Sequence, residues 1–243
     1  MQGLVFLGTL LFGYDMKYRN IEKGIFLSRP NRFIAIVMLS GREELVHVKN
    51  TGRCRELLPA GAEVFCERSD NPERRTAYDL VAVIKGERLI NMDSQAPNKV
   101  FYEWAAAGNF FGLPDYIKPE YKWGNSRFDF YLEKDGRKIL VEVKGCTLEN
   151  DGECYFPDAP TERGVKHIRE LVSAHNEGYE CYIFFVVQMK DVKFLAPNDS
   201  THPEFGDALR EAARQGVNII AYDCHVTEDS LEIADKIAVN LKK

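Results

Sequence analysis

The pattern of apolar residues changes character near residue 96, and no other feature constrains the fold as strongly. Before it, short β-type runs follow one another: Gly24–Leu27, Arg32–Leu39, Glu43–Val48, Glu63–Glu67, Thr76–Ile84 and Arg88–Met92. Turn-forming residues separate them: Pro30-Asn31, Ser40-Gly41, Pro59-Ala60-Gly61, Ser69 to Pro72 and Lys85-Gly86. Strands at this spacing, with no more than one helical turn at Arg53–Leu58, predict a small barrel or sandwich. An oligonucleotide-binding-type barrel fits, and so does another small barrel. After residue 96 the period lengthens. Pro97–Phe110, Thr161–Glu177 and Pro203–Gln215 read as helices; Gly108, Gly178 and Gly216 fall at or near their ends. Tyr116–Trp123, Ser126–Glu133, Arg137–Gly145, Tyr179–Met189 and Val217–Val226 read as strands, and Thr227–Lys243 as a polar-to-amphipathic tail. A meander followed by a crossover helix and another strand implies a mixed sheet flanked by helices. The expected division is an α+β chain of two domains, 16–95 and 96–243, with 1–15 as an N-terminal extension ahead of Met16.

A chain of 243 residues can bury a core without disulfide staples. The six cysteines form no C-x-x-C pair and read as reduced thiols; Cys146 and Cys154, with His167 beyond, are the one spacing to consider for a metal. No run reaches the ~20 apolar residues of a membrane span, and residues 1–15 lack a basic start and a cleavage site, so the expected location is cytoplasmic, with no membrane partner. A homo-oligomer is left open. The formal charge of −5 argues against a general polybasic binder. It divides unequally, +2 over residues 1–95 and −7 over 96–243.

The chemistry concentrates between Arg127 and Lys144. Asp135-Gly136 between alternating runs signals a two-residue hairpin. Lys134 then faces Arg137 and, counting outward, Asp129 faces Glu142 and Arg127 faces Lys144. Phe128, Phe130, Leu132, Ile139, Val141 and Val143 are expected on the core face. Opposed carboxylates with Cβ atoms about 5 Å apart repel, so one holds a proton or a cation sits between them. Hard oxygen ligands suit Mg2+ or Mn2+. Lys144 shares a side with Glu142, where an ammonium can orient water or stabilise a phosphorane-like state. Alone, E-x-K is also a common solvated hairpin face; the paired register, the preceding helix and the following crossover fit a restriction-endonuclease-like core.

From Met16 to Val226 the sequence resembles the sugar fermentation stimulation protein A family. The motifs are His47-Val-Lys-Asn-Thr-Gly-Arg-Cys, Ser69-Asp-Asn-Pro-Glu-Arg, Ser126-Arg-Phe-Asp-Phe, Val141-Glu-Val-Lys-Gly-Cys-Thr-Leu, Phe156-Pro-Asp-Ala-Pro-Thr-Glu-Arg-Gly-Val-Lys-His and Phe185-Val-Val-Gln. The resemblance implies an N-terminal oligonucleotide-binding (OB) barrel and a C-terminal domain similar to PD-(D/E)xK nucleases, in a family regarded as DNA-binding and named for sugar utilisation. It implies metal binding by Asp129 and Glu142, with Lys144 completing the catalytic set and Glu103 as an additional acidic ligand from the first helix. Phe128 stands where the nuclease pattern often has proline.

The implied partner is DNA or RNA. Lys49, Arg53 and Arg55 in one barrel loop, Arg74 and Arg75 in another, Arg127 beside the aspartate, and Arg163, Lys166 and His167 at a helix start are the candidate contacts. Each also reads as a solvated surface charge. Asp158 reads as a cap or a further ligand. Glycine-rich phosphate loops and G-x-S-x-G are absent, so nucleoside triphosphatase, dehydrogenase and serine hydrolase readings have no support. Two functions stand: a Mg2+- or Mn2+-dependent phosphodiesterase, and a non-catalytic nucleic-acid-binding regulator of sugar-utilisation genes. An RNA-processing or repair accessory factor is a third. In all of them binding is expected to be local and weakened by salt.

Overall fold

The computed structural model describes residues 16–50 and 52–243. The reading of residues 1–15 as an extension lies outside the described residues. Six strands make the first sheet: β1 (Ile21–Asn31), β2 (Ile34–Leu39), β3 (Arg42–Val48), β4 (Glu63–Arg68), β5 (Tyr78–Lys85) and β6 (Arg88–Asn91). Their order is β3-β2-β1-β4-β5-β6, and a parallel β3–β5 pairing closes the first five into a barrel. Alternation drives the closure: Ala35, Val37 and Leu39 of β2 are buried, while Ile34, Ile36 and Met38 between them are only half-buried. Ser40 and Gly41, both at positive φ, make the β2–β3 turn that the sequence marks.

The second sheet has nine strands in the order β10-β11-β13-β15-β14-β12-β9-β8-β7. They are β7 (Tyr116–Trp123), β8 (Ser126–Lys134), β9 (Arg137–Cys146), β10 (Glu149–Asn150), β11 (Glu153–Phe156), β12 (Glu180–Val187), β13 (Phe194–Pro197), β14 (Asn218–Val226) and β15 (Leu231–Val239). Strands β9, β12 and β14 run parallel, and β7–β8–β9 is the antiparallel meander. The helices are α1 (Ala96–Ala106), α2 (Glu162–Asn176) and α3 (Pro203–Arg214). α1 packs on one face through Val100, Phe101 and Ala105; α2 and α3 pack on the other through Val165, Ile168, Leu171, Phe205 and Leu209. Helices on both faces explain why β12 is apolar almost throughout.

The sheet is larger than the sequence predicts. The tail is β15, which pairs antiparallel with β14 and parallel with β13. β10, β11 and β13 carry no strand signal; they are two to four residues long, too short to show a period. α1 ends at Ala106 rather than Phe110. Phe110 instead folds back, its ring centroid 5.6 Å from Phe101 and 5.9 Å from Phe184.

Barrel and sheet meet through buried polar groups. Gln188 Nε2 donates to Asn91 Oδ1 at 2.8 Å and to the Asp93 carbonyl at 3.0 Å. Gly145 lies against the same amide. A Cβ there would stand 2.5 Å from Gln188 Oε1 and 2.6 Å from Pro97 Cγ. The amide is tied and the proline ring is rigid, so neither yields easily. Gly145→Ala is expected to destabilise the protein by about 1–3 kcal/mol, read as a lower urea midpoint with unchanged slope.

Candidate active site

The hairpin turn has Asp135 at φ 50° and Gly136 at φ 76°. Both values are positive, as a two-residue primed turn requires. The β8–β9 ladder runs in the predicted register from Lys134↔Arg137 to Phe130↔Val141. There it stops. Asp129 Oδ2 accepts the Val143 N–H at 2.8 Å, so a side-chain carboxylate takes the place of a ladder carbonyl. The expected pairing of Arg127 with Lys144 is therefore corrected: Arg127 faces Lys122 of β7, and its guanidinium binds Glu120 at 2.8 Å. Alternation breaks at the same point. Phe130 packs toward α1, 4.9 Å from Phe101, whereas Phe128 packs with Val165 and Ile168 of α2 and meets the His167 ring at 6.3 Å. Phe128 thus leaves the face predicted for it.

Asp129 and Glu142 nevertheless share one electrostatic site. Burial raises the Asp129 carboxyl above its ordinary value and repulsion from Glu142 adds to it; Lys144, the Val143 N–H and Asn98 oppose the shift. Asn98, in the first turn of α1, donates to Asp129 Oδ1 at 2.9 Å. Glu142 is 3% exposed. Burial pushes its carboxyl up, but Lys144 and His167 outweigh burial and hold it below the ordinary range. Both partners use one oxygen: Lys144 Nζ is 2.5 Å from Oε1, and His167 Nδ1 is 2.6 Å from it. Oε2 is buried without a hydrogen-bond partner among the described residues. A bare buried carboxylate oxygen costs about 1–3 kcal/mol or more unless something binds it. A hard divalent cation fits that oxygen and the nearby Asp129 carboxylate.

Beside Asp129 opens a cleft of about 950 Å3 between β8 and α2. Residues 163, 166 and 169 recur at helical spacing, so Arg163, Lys166 and Arg169 line its α2 wall, with Arg127 opposite. Lys166 lies 3.7 Å from Glu170, one turn further along α2. His167 does not face outward; it is buried beneath this wall.

Two family models cover most of the chain. Residues 27–92 match the SfsA N-terminal OB domain, and residues 95–230 match the sugar fermentation stimulation protein RE domain. The chain belongs to the sugar fermentation stimulation protein family. A homologue of that name from Desulfitobacterium hafniense is 61% identical over 226 residues, covering 93% of this chain and 99% of its own length. One from Clostridium beijerinckii is 58% identical over 93% of this chain and all of its own. The structure of Pyrococcus furiosus SfsA in complex with Ca2+ superposes with a TM-score of 0.84 at 27% identity, covering 93% of this chain and 98% of that one. The OB barrel and mixed sheet expected from the sequence are thus family features.

Within this SfsA fold, several other expected residues stand apart from the site. Glu103 accepts the Met16 N–H at 3.0 Å. Five residues after Asn98, it is turned by about 140° from the side chain that reaches Asp129. Lys49 points inward, to Asp79 at 3.3 Å and Asp93 at 3.4 Å. Arg74 also binds Asp79, at 3.0 Å through Nη1. Arg53, Arg55 and Arg75 are exposed, with no side-chain partner among the described residues. Asp158 accepts from Cys54 N at 3.2 Å. Thr161 caps α2 by accepting from Gly164 N at 3.1 Å, which satisfies one of the free donors of the first turn.

Neither remaining metal candidate supports a cation. His167, the third member of the Cys146 and Cys154 spacing, is held on Glu142 Oε1 at 2.6 Å, and the three do not gather as ligands among the described residues. Glu162, His202 and Glu204 place three ligand atoms within 4.8 Å. His202 Nδ1, however, accepts the Thr161 N–H at 3.2 Å. Nε2 therefore carries the proton and points it at Glu162, 3.4 Å away. A protonated ring nitrogen has no lone pair to offer a metal. Sequence reasoning missed Asn98 and Arg169. Arg169 was accessible to it through the three-residue spacing on α2; Asn98 had no local signal.

Proposed function

We propose that this protein is a divalent-metal-dependent phosphodiesterase acting on DNA or RNA, of the PD-(D/E)xK type. The observation that carries the reading is Glu142: its Oε1 is held by Lys144 and His167 and its Oε2 is buried without a partner, beside Asp129. The Ca2+ in the archaeal relative supports a divalent cation in this family. Asp129 and Glu142 would hold Mg2+ or Mn2+, which when bound polarises a phosphoryl oxygen and acidifies water. Asn98 and the Val143 N–H fix the Asp129 carboxylate. Lys144, 18% exposed at its side chain, has further N–H donors for a water or a phosphate oxygen beside the one it gives Glu142. Attack by that water on phosphorus breaks the P–O bond to the leaving sugar oxygen, which takes up a proton. Arg127, Arg163, Lys166 and Arg169 bind flanking phosphates in the cleft, and Arg53, Arg55 and Arg75 extend the contact on the barrel.

One observation favours a binding-only regulator. The Lys144 ammonium, 2.5 Å from Oε1, by itself balances the charge of Glu142. Incubation with single- and double-stranded DNA and RNA in Mg2+, Mn2+ or EDTA separates the two. Cleavage in metal and none in EDTA is expected; retained binding with no cleavage under any condition supports the regulator. Binding measured in EDTA tests the cleft. Lys166→Ala with Arg169→Ala is expected to weaken affinity evenly across sequences and to flatten the log–log salt slope by about one for each phosphate no longer neutralised. An unchanged slope places the nucleic acid elsewhere.

A further inference from the structure

We propose that His167 is a positioning residue that orients the Glu142 carboxylate for its cation; this rests on the metal site proposed above. His167 Nδ1 lies 2.6 Å from Glu142 Oε1. A carboxylate only accepts hydrogen bonds, so Nδ1 carries the proton. Nε2 is then the acceptor, and Arg163 Nε lies 3.4 Å from it. The neutral imidazole is thereby fixed in one tautomer by a partner on each side. The ring is held in place by packing as well: its side chain is 8% exposed, and the Phe128 ring meets it edge-on at 6.3 Å.

Two donors therefore converge on Oε1, and they differ in kind. Lys144 ends a flexible four-carbon stem and can re-aim its three donors toward water or phosphate. His167 has a short, rigid side chain on the buried stripe of α2, between Gly164 and Leu171. It keeps Oε1 occupied and Oε2 turned to the cation whichever way Lys144 points. Partners of metal-binding carboxylates and imidazoles act in this manner, and their loss typically weakens metal affinity or activity by about 10–100-fold. The α2 helix thus contributes twice: Arg163, Lys166 and Arg169 toward the cleft, and His167 toward the carboxylate beneath it.

The test is calorimetric titration of the full chain with Mn2+ alone, with folding checked by thermal midpoint in EDTA. Glu142→Gln is expected to remove binding. His167→Leu is expected to weaken it about 10–100-fold. His167→Asn, whose amide nitrogen lies where imidazole Nδ1 does, is expected to restore it to within a few-fold, and His167→Gln, whose amide lies one atom farther out, is not. Should His167→Leu fail to fold, the Asn–Gln contrast decides. Wild-type affinity in His167→Leu, or equal affinities in the Asn and Gln variants, overturns the role of His167 while the loss in Glu142→Gln upholds the site. Equal binding by wild type and Glu142→Gln overturns the metal site and this inference with it.

Discussion

Glu142→Gln is expected to lower metal-dependent cleavage by about 10³-fold or more while leaving the fold intact. Glutamine keeps the shape that β9 packs between β8 and β12, where residue 142 faces Ile183. It removes the charge on which the site depends. Its single carbonyl oxygen can serve Lys144 and His167 or a cation, but not both. Removing one preorganised electrostatic group commonly costs about 10²–10³-fold in rate, and losing the cation removes the polarisation of water as well. Single-turnover cleavage at saturating protein measures the chemical step apart from binding. Affinity for uncleaved nucleic acid in EDTA is expected to hold, because the cleft cations are untouched. Cleavage by Glu142→Gln at the wild-type rate would place the chemistry at another site.

What the sequence makes legible is what neighbours along the chain determine. Asp135-Gly136 set the hairpin register because only small or polar residues take positive φ cheaply, and Glu142 and Lys144 share a side because strands have a period of two. Contacts over long separations are not legible. Counting from the turn puts Asp129 opposite Glu142 as a ladder partner, yet its carboxylate ends the ladder on Val143 N, a choice made by packing of Phe128 under α2. His167 reads as a phosphate contact because it follows Lys166. Its spacing from Gly164 and Leu171 puts it on the buried stripe, a signal that is present in the sequence and outweighed there by its basic neighbour. β15 escapes notice because Glu232, Asp235 and Lys236 interrupt its apolar residues, which keep no strict alternation, and only Leu231 is buried.

Lys49 shows the same limit at higher energy and yields the largest expected loss of stability. In sequence it sits with Arg53 and Arg55 and reads as a loop cation. In the fold its side chain is 17% exposed and its ammonium lies among Asp79, Asp93 and Glu67, of which Asp93 is fully buried. Burial alone would lower the Lys49 pKa, but the three carboxylates outweigh it and raise the value. Burial likewise pushes Asp79 up, and Arg74, Lys49 and His47 outweigh it to hold Asp79 at about 2. Lys49→Met keeps the stem but leaves the fully buried Asp93 without its cation, while Asp79 keeps Arg74; breaking a buried pair in this way typically costs about 3–5 kcal/mol. The loss should depend on pH with a definite sign. Asp79 has a folded pKa below its ordinary 3.8, so its stabilisation is present above that value and fades as pH falls toward 2. Lys49 has a folded pKa above 10.5, so its stabilisation is present below that value and fades as pH rises through the folded pKa. Urea unfolding is therefore expected to separate wild type from Lys49→Met most widely between these limits and to bring them together in strong acid. Nucleic-acid affinity of the folded variant at low salt is expected to match wild type. A weakened affinity with unchanged stability would return Lys49 to the binding surface, whereas Arg53→Ala with Arg55→Ala should show the reverse pattern, affinity lowered and stability kept.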